Sequence, residues 1–172
     1  MIKSKKLQEL ANTDFITPEQ AEFLEQCIEN KENIVVAGHK GHGILILLSH
    51  LVTCINPAQA KLKQVKNIPA DLEAEADYYL VGDLKDKDYE ELLTALFSKK
   101  DSAVLTLKDP DHNFSLMKII RDVAAKTNDY SKKYIVVEAK KVQDVKKVCK
   151  ITRLSFNDAG KIVKEDIFKE IA

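Results

Sequence analysis

The chain has 172 residues, of which 45% are hydrophobic and 31% are charged, and its 27 Lys and Arg residues balance 27 Asp and Glu residues. A chain of this length and composition can bury a full core without a disulfide or a structural metal, so we expect one soluble domain. A formal net charge of zero excludes bulk charge as a reason to expect a nucleic-acid or membrane partner.

Cysteine usage and the lack of a membrane-length segment indicate a cytoplasmic protein. Cys27, Cys54 and Cys149 are far apart in the sequence and lack metal-ligand spacing, which predicts buried thiols in a reducing compartment. The longest apolar stretch, Ile44 to Ile55, includes Ser49, His50 and Thr53 and is too short to span a bilayer.

The first part of the chain alternates helical and strand patterns. Thr17-Pro18-Glu19-Gln20 predicts the start of a helix that runs to about Glu29, with a shorter helix before it. Asn33 to Ala37 is an apolar run of strand length, and a helix is expected from Gly43 to about Ile55. The elements expected next are a strand over Leu62 to Ile68, a strand over Tyr78 to Gly82, a helix over about Lys87 to Phe97, a strand over Ala103 to Leu107 and a helix over Phe114 to Ala125.

The pattern changes to hairpins near the carboxyl terminus. Strands are expected over Tyr134 to Val137, Val148 to Leu154 and Ile162-Val163, with a hairpin turn at Asn157 to Gly160 and a short helix over Glu165 to Ile171. This order predicts an α/β sheet that begins parallel and ends antiparallel. We expect a single domain over residues 1–172, with a helical lead-in (1–30), an α/β core (31–130) and a β-rich part (131–172).

A glycine-rich loop joins the first predicted strand to an apolar helix. Gly38 and Gly43 have the spacing of a P-loop, in which backbone N–H groups surround phosphates, a following Lys neutralises them and a Ser or Thr ligates Mg²⁺. Here the next two residues are Ile44 and Leu45, which can do neither. The candidate nucleotide- or anion-binding residues are Gly38, His39, Lys40, Gly41, His42 and Gly43.

Three interpretations of this loop remain open. The glycines can serve only a tight turn, with solvated Lys and His side chains. The loop can bind an anion weakly through its N–H groups and histidines. Alternatively, Lys40, inside the loop, can supply the positive charge of the P-loop lysine that Ile44 replaces.

Several segments, in the same order and spacing, resemble one protein family. They are Ile16 to Leu24 leading into Glu32 to Gly38, then Ala76 to Asp86, then Ser102 to Asp109, and finally Val148 to Leu154 continuing through Ile167-Phe168. They resemble the P-loop entry, the Walker B segment, the His box and the closing hairpin and helix of the RecA-like core domain of type II and type IV secretion and tight-adherence pilus ATPases. The resemblance implies a RecA-like P-loop NTPase-type three-layer sandwich, with a central, mostly parallel sheet and antiparallel strands at its carboxyl end.

Every catalytic position carried over from that pattern is altered. Besides Ile44 and Leu45, Asp83 stands where the family has its Walker B glutamate. Lys85 replaces the neighbouring arginine, and Lys108 replaces the histidine of the His box. Where the family places an acidic box, this chain has lysines, namely Lys61, Lys63 and Lys66. If any ATPase activity remained, Asp83 is the carboxylate that would orient a water molecule or Mg²⁺.

The resemblance therefore implies a degenerate secretion or pilus traffic ATPase-like module, impaired in ATP hydrolysis. It would act as a structural or regulatory subunit of a secretion, pilus or conjugation system, with related ATPase subunits or further copies of itself as partners. Such a module would be cytoplasmic, or peripheral to a membrane-embedded machine. The alternative is a divergent nucleotide-binding ATPase that uses Lys40, with ATP or ADP and Mg²⁺ as its cofactors.

Other groups of polar residues receive structural interpretations. Asp83, Asp86 and Asp88 are expected to form a helix-capping turn and not a metal site, so no metal ligand is expected. His50 is expected in the core and His112 in solvent. The three lysine pairs, Lys132-Lys133, Lys140-Lys141 and Lys146-Lys147, are expected on a solvated β-edge, not on a surface for nucleic acid or lipid.

Overall fold

The computed structural model describes residues 2–39, 41–67, 69–83, 88–110, 112 and 114–169. In this part of the chain, one sheet contains seven strands, β1 (Asn33–Ala37), β2 (Leu62–Gln64), β3 (Tyr78–Val81), β4 (Ala103–Lys108), β5 (Tyr134–Val142), β6 (Val145–Phe156) and β7 (Ile162–Phe168). Their order is β2-β3-β4-β1-β5-β6-β7. The pairs from β2 to β5 are parallel, and β6 and β7 continue the sheet in antiparallel pairs, as expected.

Helices cover both faces of this sheet. They are α1 (Lys5–Ala11), α2 (Pro18–Glu29), α3 (Ile44–Val52), α4 (Ala70–Glu73), α5 (Tyr89–Phe97) and α6 (Leu116–Thr127). Side chains of α1, α2 and α3 share one buried cluster with β1 residues such as Ile34 and Val36. Side chains of α5 and α6 share a second buried cluster with Tyr79 and Val81 of β3. The expected three-layer arrangement is therefore confirmed.

The helix predicted at Thr17 begins where the sequence indicates. The Thr17 hydroxyl accepts a hydrogen bond from the Gln20 N–H, and the Gln20 side chain accepts one from the Thr17 N–H, both at 3.1 Å. This reciprocal capping box satisfies two N–H groups at the start of α2. Among the described residues, no helix is long and apolar enough to cross a bilayer.

The three cysteines are thiols with limited exposure. Cys27 and Cys149 are buried, whereas Cys54 is half-buried. Burial raises the pKa of Cys27 to about 12, and the nearby Glu32 carboxylate adds to the effect. Because only the thiolate is a strong nucleophile, a thiol with such a pKa is inert at neutral pH.

The carboxyl-terminal part differs most from expectation. The predicted helix over Glu165 to Ile171 is wrong for its described part, because β7 continues to Phe168 and pairs with β6, for example Asp166 with Thr152. β5 and β6 are also longer than predicted, since they continue past the sheet as a hairpin. In the first part of the chain, α3 ends at Val52, earlier than expected, and the short α4 was not predicted.

Candidate functional site

The candidate site lies where β3, β4 and β1 end side by side. The N–H of Gly38, directly after β1, donates to the carbonyl of Lys108 at the end of β4 over 3.0 Å. β3 pairs with β4 as far as Val81 and Thr106, so Asp83 follows on the same edge. Because the carboxyl ends of parallel strands form one edge, the glycine loop, Lys108 and Asp83 are neighbours. This edge is where open α/β sheets usually bind ligands.

Close packing explains two of the three glycines in the loop. A Cβ at Gly43, whose φ is +91°, would lie 2.5 Å from Cε2 of Phe15. A Cβ at Gly38 would lie 2.6 Å from the carbonyl oxygen of Ala139 in β5. A larger residue at Gly38 would displace the backbone of β5, and a larger residue at Gly43 would displace the Phe15 ring, so close packing favours glycine at both positions.

The first two side chains of α3 do not provide phosphate chemistry. Ile44 is 3% exposed and belongs to the buried cluster beneath the loop, where its Cγ2 would be 3.0 Å from a Cβ at Gly38. Leu45 is 55% exposed. The positions that carry Lys and Ser or Thr in a P-loop therefore hold a core side chain and an exposed apolar one.

Two loop N–H groups are already bonded within the protein. Gly38 donates to Lys108 as described above, and the His42 N–H donates to the His39 carbonyl over 3.1 Å. A P-loop needs such groups to point at phosphate oxygens, so these two bonds reduce the capacity of the loop for an anion. Lys40 lies outside the described residues, so its predicted role in binding remains a prediction.

Two imidazole rings and one lysine side chain nevertheless lie at the loop. The rings of His39 and His42 are 5.3 Å apart, and Nδ1 of His42 is buried without a hydrogen-bond partner. The Lys146 side chain reaches the loop from the β5–β6 hairpin, with its Cδ 3.2 Å from the position of a Cβ at Gly43. His39, Gly41, His42 and Gly43 thus lie in one loop that Lys146 approaches, and their role in binding a nucleotide or an anion stays a prediction.

The expectation that His112 is solvated is wrong. Its side chain is 10% exposed, and Nε2 lies 3.4 Å from Oδ1 of Asp83. Nδ1 accepts a hydrogen bond from the Asp109 N–H over 3.2 Å, and the ring stacks on Tyr89 with centroids 4.3 Å apart. The rings of His112, Tyr89 and Phe114 form one aromatic cluster, in which the Tyr89 and Phe114 centroids are 5.9 Å apart. Phe114, two residues after His112, is the sequence signal that the solvated interpretation missed.

Lys108 and the other predicted positions have ordinary structural contacts. Nζ of Lys108 lies 4.9 Å from the centroid of the Phe114 ring, a cation–π contact. Asp88 caps α5 by accepting a hydrogen bond from the Glu91 N–H over 3.2 Å, as the capping interpretation predicted. His50 is half-buried, not in the core, and its Nδ1 lies 2.7 Å from the Ile46 carbonyl. Lys85 and Asp86 lie outside the described residues.

The described residues contain no group of three or more His, Cys, Asp or Glu side chains placed to hold a metal ion. Asp83 is paired with His112, and Lys63 pairs with Asp71 over 3.2 Å. Of the three lysines in place of an acidic box, Lys63 is thus paired with a local carboxylate.

Comparison with known proteins supports the fold. No family model matches the chain, and no curated protein matches it. Among solved structures, the chain is similar to the VirB11 ATPase from the Brucella suis type IV secretion system, in a complex with sulphate, at 16% identity and a TM-score of 0.53. The similarity covers 86% of this chain and 54% of the VirB11 chain, so this chain spans about half the length of that protein. Together with the sheet order and the three layers, it shows that the chain has the RecA-like fold implied by the resemblance.

Proposed function

We propose that this chain is a degenerate secretion ATPase-like module, impaired in ATP hydrolysis, that acts by binding protein partners. The observation that carries the proposal is the pair at the start of α3, where Ile44 is buried and Leu45 is exposed. The similarity to a type IV secretion ATPase supports a related module. The replacement of family residues by Asp83 and Lys108 at the carboxyl edge of the sheet supports a role other than ATP turnover.

The expected loss of nucleotide affinity and of hydrolysis rate is large enough to favour this interpretation over a slow enzyme. A missing charge-assisted hydrogen bond costs about 1.5–3 kcal/mol of binding. A missing group that stabilises charge in a transition state typically lowers the rate by about 10²–10³-fold. The two positions after Gly43 lack both the lysine and the hydroxyl of a P-loop, so the two losses act together.

We propose that the partners are related ATPase subunits of a secretion, pilus or conjugation system, or further copies of this chain. The module would act in the cytoplasm, at the periphery of a membrane-embedded machine, as a structural or regulatory subunit formed by one domain. Exposed apolar residues at the loop support a protein-binding role, because Leu45 and Ile46 are 55% and 42% exposed.

Nucleotide titration tests the proposal directly. Calorimetry with ATP and ADP in the presence of Mg²⁺ is expected to give no binding heat at millimolar nucleotide, and phosphate release is expected to stay at background. The variant Leu45→Thr, which restores the hydroxyl at an exposed position, serves as a folded control that should also be inactive. Turnover at an ordinary enzymatic rate by the unmodified chain would overturn the proposal.

A divergent nucleotide-binding ATPase is the second candidate. It is favoured by the cationic surroundings of the loop, where Lys146 lies against Gly43 and Nδ1 of His42 has no partner. In this case Lys40 would supply the missing charge and Asp83 would hold Mg²⁺. Binding of ATP that is lost in Lys40→Ala, but kept in Lys61→Ala, would support this candidate.

A further inference from the structure

The seven-stranded sheet ends in two edges of different length. β2 is an edge of 3 residues, Leu62–Gln64, whereas β7 is an edge of 7 residues, Ile162–Phe168. Within the described part of the chain, no strand pairs with the outer side of β7, because it is last in the sheet order. A long edge has a row of unpaired N–H and C=O groups, which can accept a strand from another chain.

The hairpin turn before β7 determines which of its backbone groups point outward. The N–H of Asn157 donates to the carbonyl of Lys161 over 2.9 Å, so these two residues form a hydrogen-bonded pair. Hydrogen-bonded and non-hydrogen-bonded pairs alternate along an antiparallel ladder. The register from this turn is regular as far as Asp166 and shifts only beyond it. The N–H and C=O groups of Lys164 and Asp166 therefore point away from β6, towards the open edge.

The sequence of this edge is complementary to a second copy of itself. Antiparallel pairing about a two-fold axis at Glu165 would place Lys164 of each copy opposite Asp166 of the other. Both side chains are exposed, so they are accessible for such a contact. The same register would place Val163, which is 41% exposed, opposite the half-buried Ile167. The pairs on either side of the axis would thus join opposite charges or two apolar side chains, both of which stabilise antiparallel strands.

The backbone favours the same register as the side chains. Because only alternate residues of β7 point outward, the axis must pass through a residue and not between two residues. An axis at Lys164 would place this lysine opposite itself, and an axis at Asp166 would place this carboxylate opposite itself. With the axis at Glu165, Lys164 and Asp166 form the hydrogen-bonded pairs, and each pair exchanges both N–H···O bonds.

One like-charged pair remains, between the two copies of Glu165 at the axis. Oε1 of Glu165 lies 4.0 Å from Nη1 of Arg153 in the neighbouring β6, so a guanidinium from each copy would flank the two carboxylates. The compensation is partial, because Arg153 also pairs with the buried Glu32. The contact should therefore be weak in the unmodified chain and stronger when Glu165 is neutral.

We propose that two copies of this chain form a two-fold dimer by antiparallel pairing of their β7 strands, which joins the two sheets into one. A two-fold interface requires a surface that is complementary to itself, and the edge around Glu165 meets that requirement. This inference rests on the proposed role as a protein-binding module and specifies a second copy as the partner. It does not depend on the loss of ATP hydrolysis.

Sedimentation velocity over a range of protein concentrations tests for the dimer. The unmodified chain should change from monomer towards dimer between about 1 µM and 1 mM. Glu165→Gln removes the like-charged pair and should tighten the dimer about two- to fivefold. Lys164→Pro removes an outward N–H, which an edge strand tolerates, and should weaken the dimer at least about tenfold. Lys164→Ala, which keeps this N–H, should weaken it less.

A charge swap tests which residues face each other. Lys164→Asp and Asp166→Lys each place like charges opposite one another and should each weaken self-association about tenfold. An equimolar mixture of the two variants should form a dimer again, because both cross-strand pairs then join opposite charges. Lys5→Asp makes the same change of charge at an exposed position of α1 and should leave the dimer intact. Circular dichroism and urea denaturation would confirm that each variant is folded.

A disulfide crosslink tests the position of the axis. In a non-hydrogen-bonded antiparallel pair the two Cα atoms are about 4.5 Å apart, a distance that a disulfide can span. Glu165→Cys should therefore form a disulfide-linked dimer under mild oxidation. Val163→Cys is the matched control, because the two copies of this residue would lie about 13 Å apart. The unmodified chain, whose three cysteines are buried or half-buried, should stay unlinked.

Four results would overturn the proposal. They are a monomer up to about 1 mM, an assembly larger than a dimer, a mixture of the two charge variants that stays monomeric, and crosslinking of Val163→Cys that equals or exceeds that of Glu165→Cys. Protection of the Lys164 and Asp166 amides from hydrogen exchange only after another protein is added would assign the edge to that protein instead. The nucleotide titration described above does not involve β7, so failure of the dimer and failure of the proposed function can be distinguished.

Discussion

Nε2 of His112 lies 3.4 Å from Oδ1 of Asp83, which joins the turn after β4 to the residues after β3. The same imidazole accepts a hydrogen bond from the Asp109 N–H and stacks on Tyr89. Tyr89 in turn donates its hydroxyl to the Gly82 carbonyl over 3.0 Å. His112 therefore links three segments at the edge of the sheet that holds the glycine loop.

Replacement of His112 should destabilise this edge. His112→Ala removes the ring stacking, worth about 0.5–1.5 kcal/mol, and the hydrogen bond from Asp109, worth about 0.5–1.5 kcal/mol. We expect the free energy of unfolding, measured by urea denaturation, to fall by about 1–3 kcal/mol. His39→Ala is the matched control, because that side chain is exposed. Equal stability of the two variants would contradict a linking role for His112.

Substitution of the loop glycines should separate packing from backbone strain. Gly43→Ala combines a positive φ with an overlap on Phe15, and we expect a loss of about 2–4 kcal/mol. Gly41 has a φ of +86° and open space around its Cβ position, so Gly41→Ala should lose only the strain, about 1–2 kcal/mol. Denaturation curves of both variants check this difference.

A second substitution identifies the cause of the larger loss. Phe15→Leu shortens the side chain that a Cβ at Gly43 would meet. In the Gly43→Ala background it should recover part of the stability, whereas in the unmodified chain it should cost stability. The prediction fails if the effects of Gly43→Ala and Phe15→Leu are simply additive.

The alternation of strands and helices was sufficient to predict an α/β sheet and its change from parallel to antiparallel pairing, whereas the three layers were implied by the family resemblance. It could not predict contacts between distant segments. The glycine spacing indicated the loop, but the reason for Gly43 is Phe15, which precedes α2 and is brought to the loop by tertiary packing. The residues after Glu165 have a helical pattern, yet pairing with β6 holds those up to Phe168 in a strand, because strand formation depends on neighbouring strands more than on local preference.

Asp71 should contribute an acid-sensitive part of the stability. Its carboxylate accepts hydrogen bonds from the backbone N–H groups of Asn67 and Lys66 at 2.6 and 2.8 Å, and these bonds lower its pKa from 3.8 to about 2. A carboxylate with a lowered folded-state pKa stabilises the protein above its ordinary pKa, and this contribution disappears as the pH falls from 3.8 towards 2.

The variant Asp71→Asn isolates this contribution. Its amide oxygen can still accept the two backbone hydrogen bonds, but the side chain no longer titrates. The difference in urea midpoint between the unmodified chain and this variant should therefore shrink as the pH falls through that window. A difference that stays constant from neutral pH to pH 2 would show that protonation of Asp71 is not linked to folding.

The buried ion pair between Arg153 and Glu32 should depend on both partners. Arg153 donates from Nε and Nη2 to the two carboxylate oxygens over 3.0 and 3.3 Å, and the Glu32 side chain is 8% exposed. Arg153→Met leaves this carboxylate buried without its partner, so we expect a loss of about 2–4 kcal/mol in the free energy of unfolding. Glu32→Gln/Arg153→Met removes both charges and should recover much of that loss.

Lys150→Met, which breaks a more exposed pair with Asp166 at 3.9 Å, should cost no more than about 1 kcal/mol. A double variant as unstable as Arg153→Met alone would show that the loss comes from packing of the guanidinium on Phe23, whose ring centroid lies 5.1 Å away, and not from the unpaired charge.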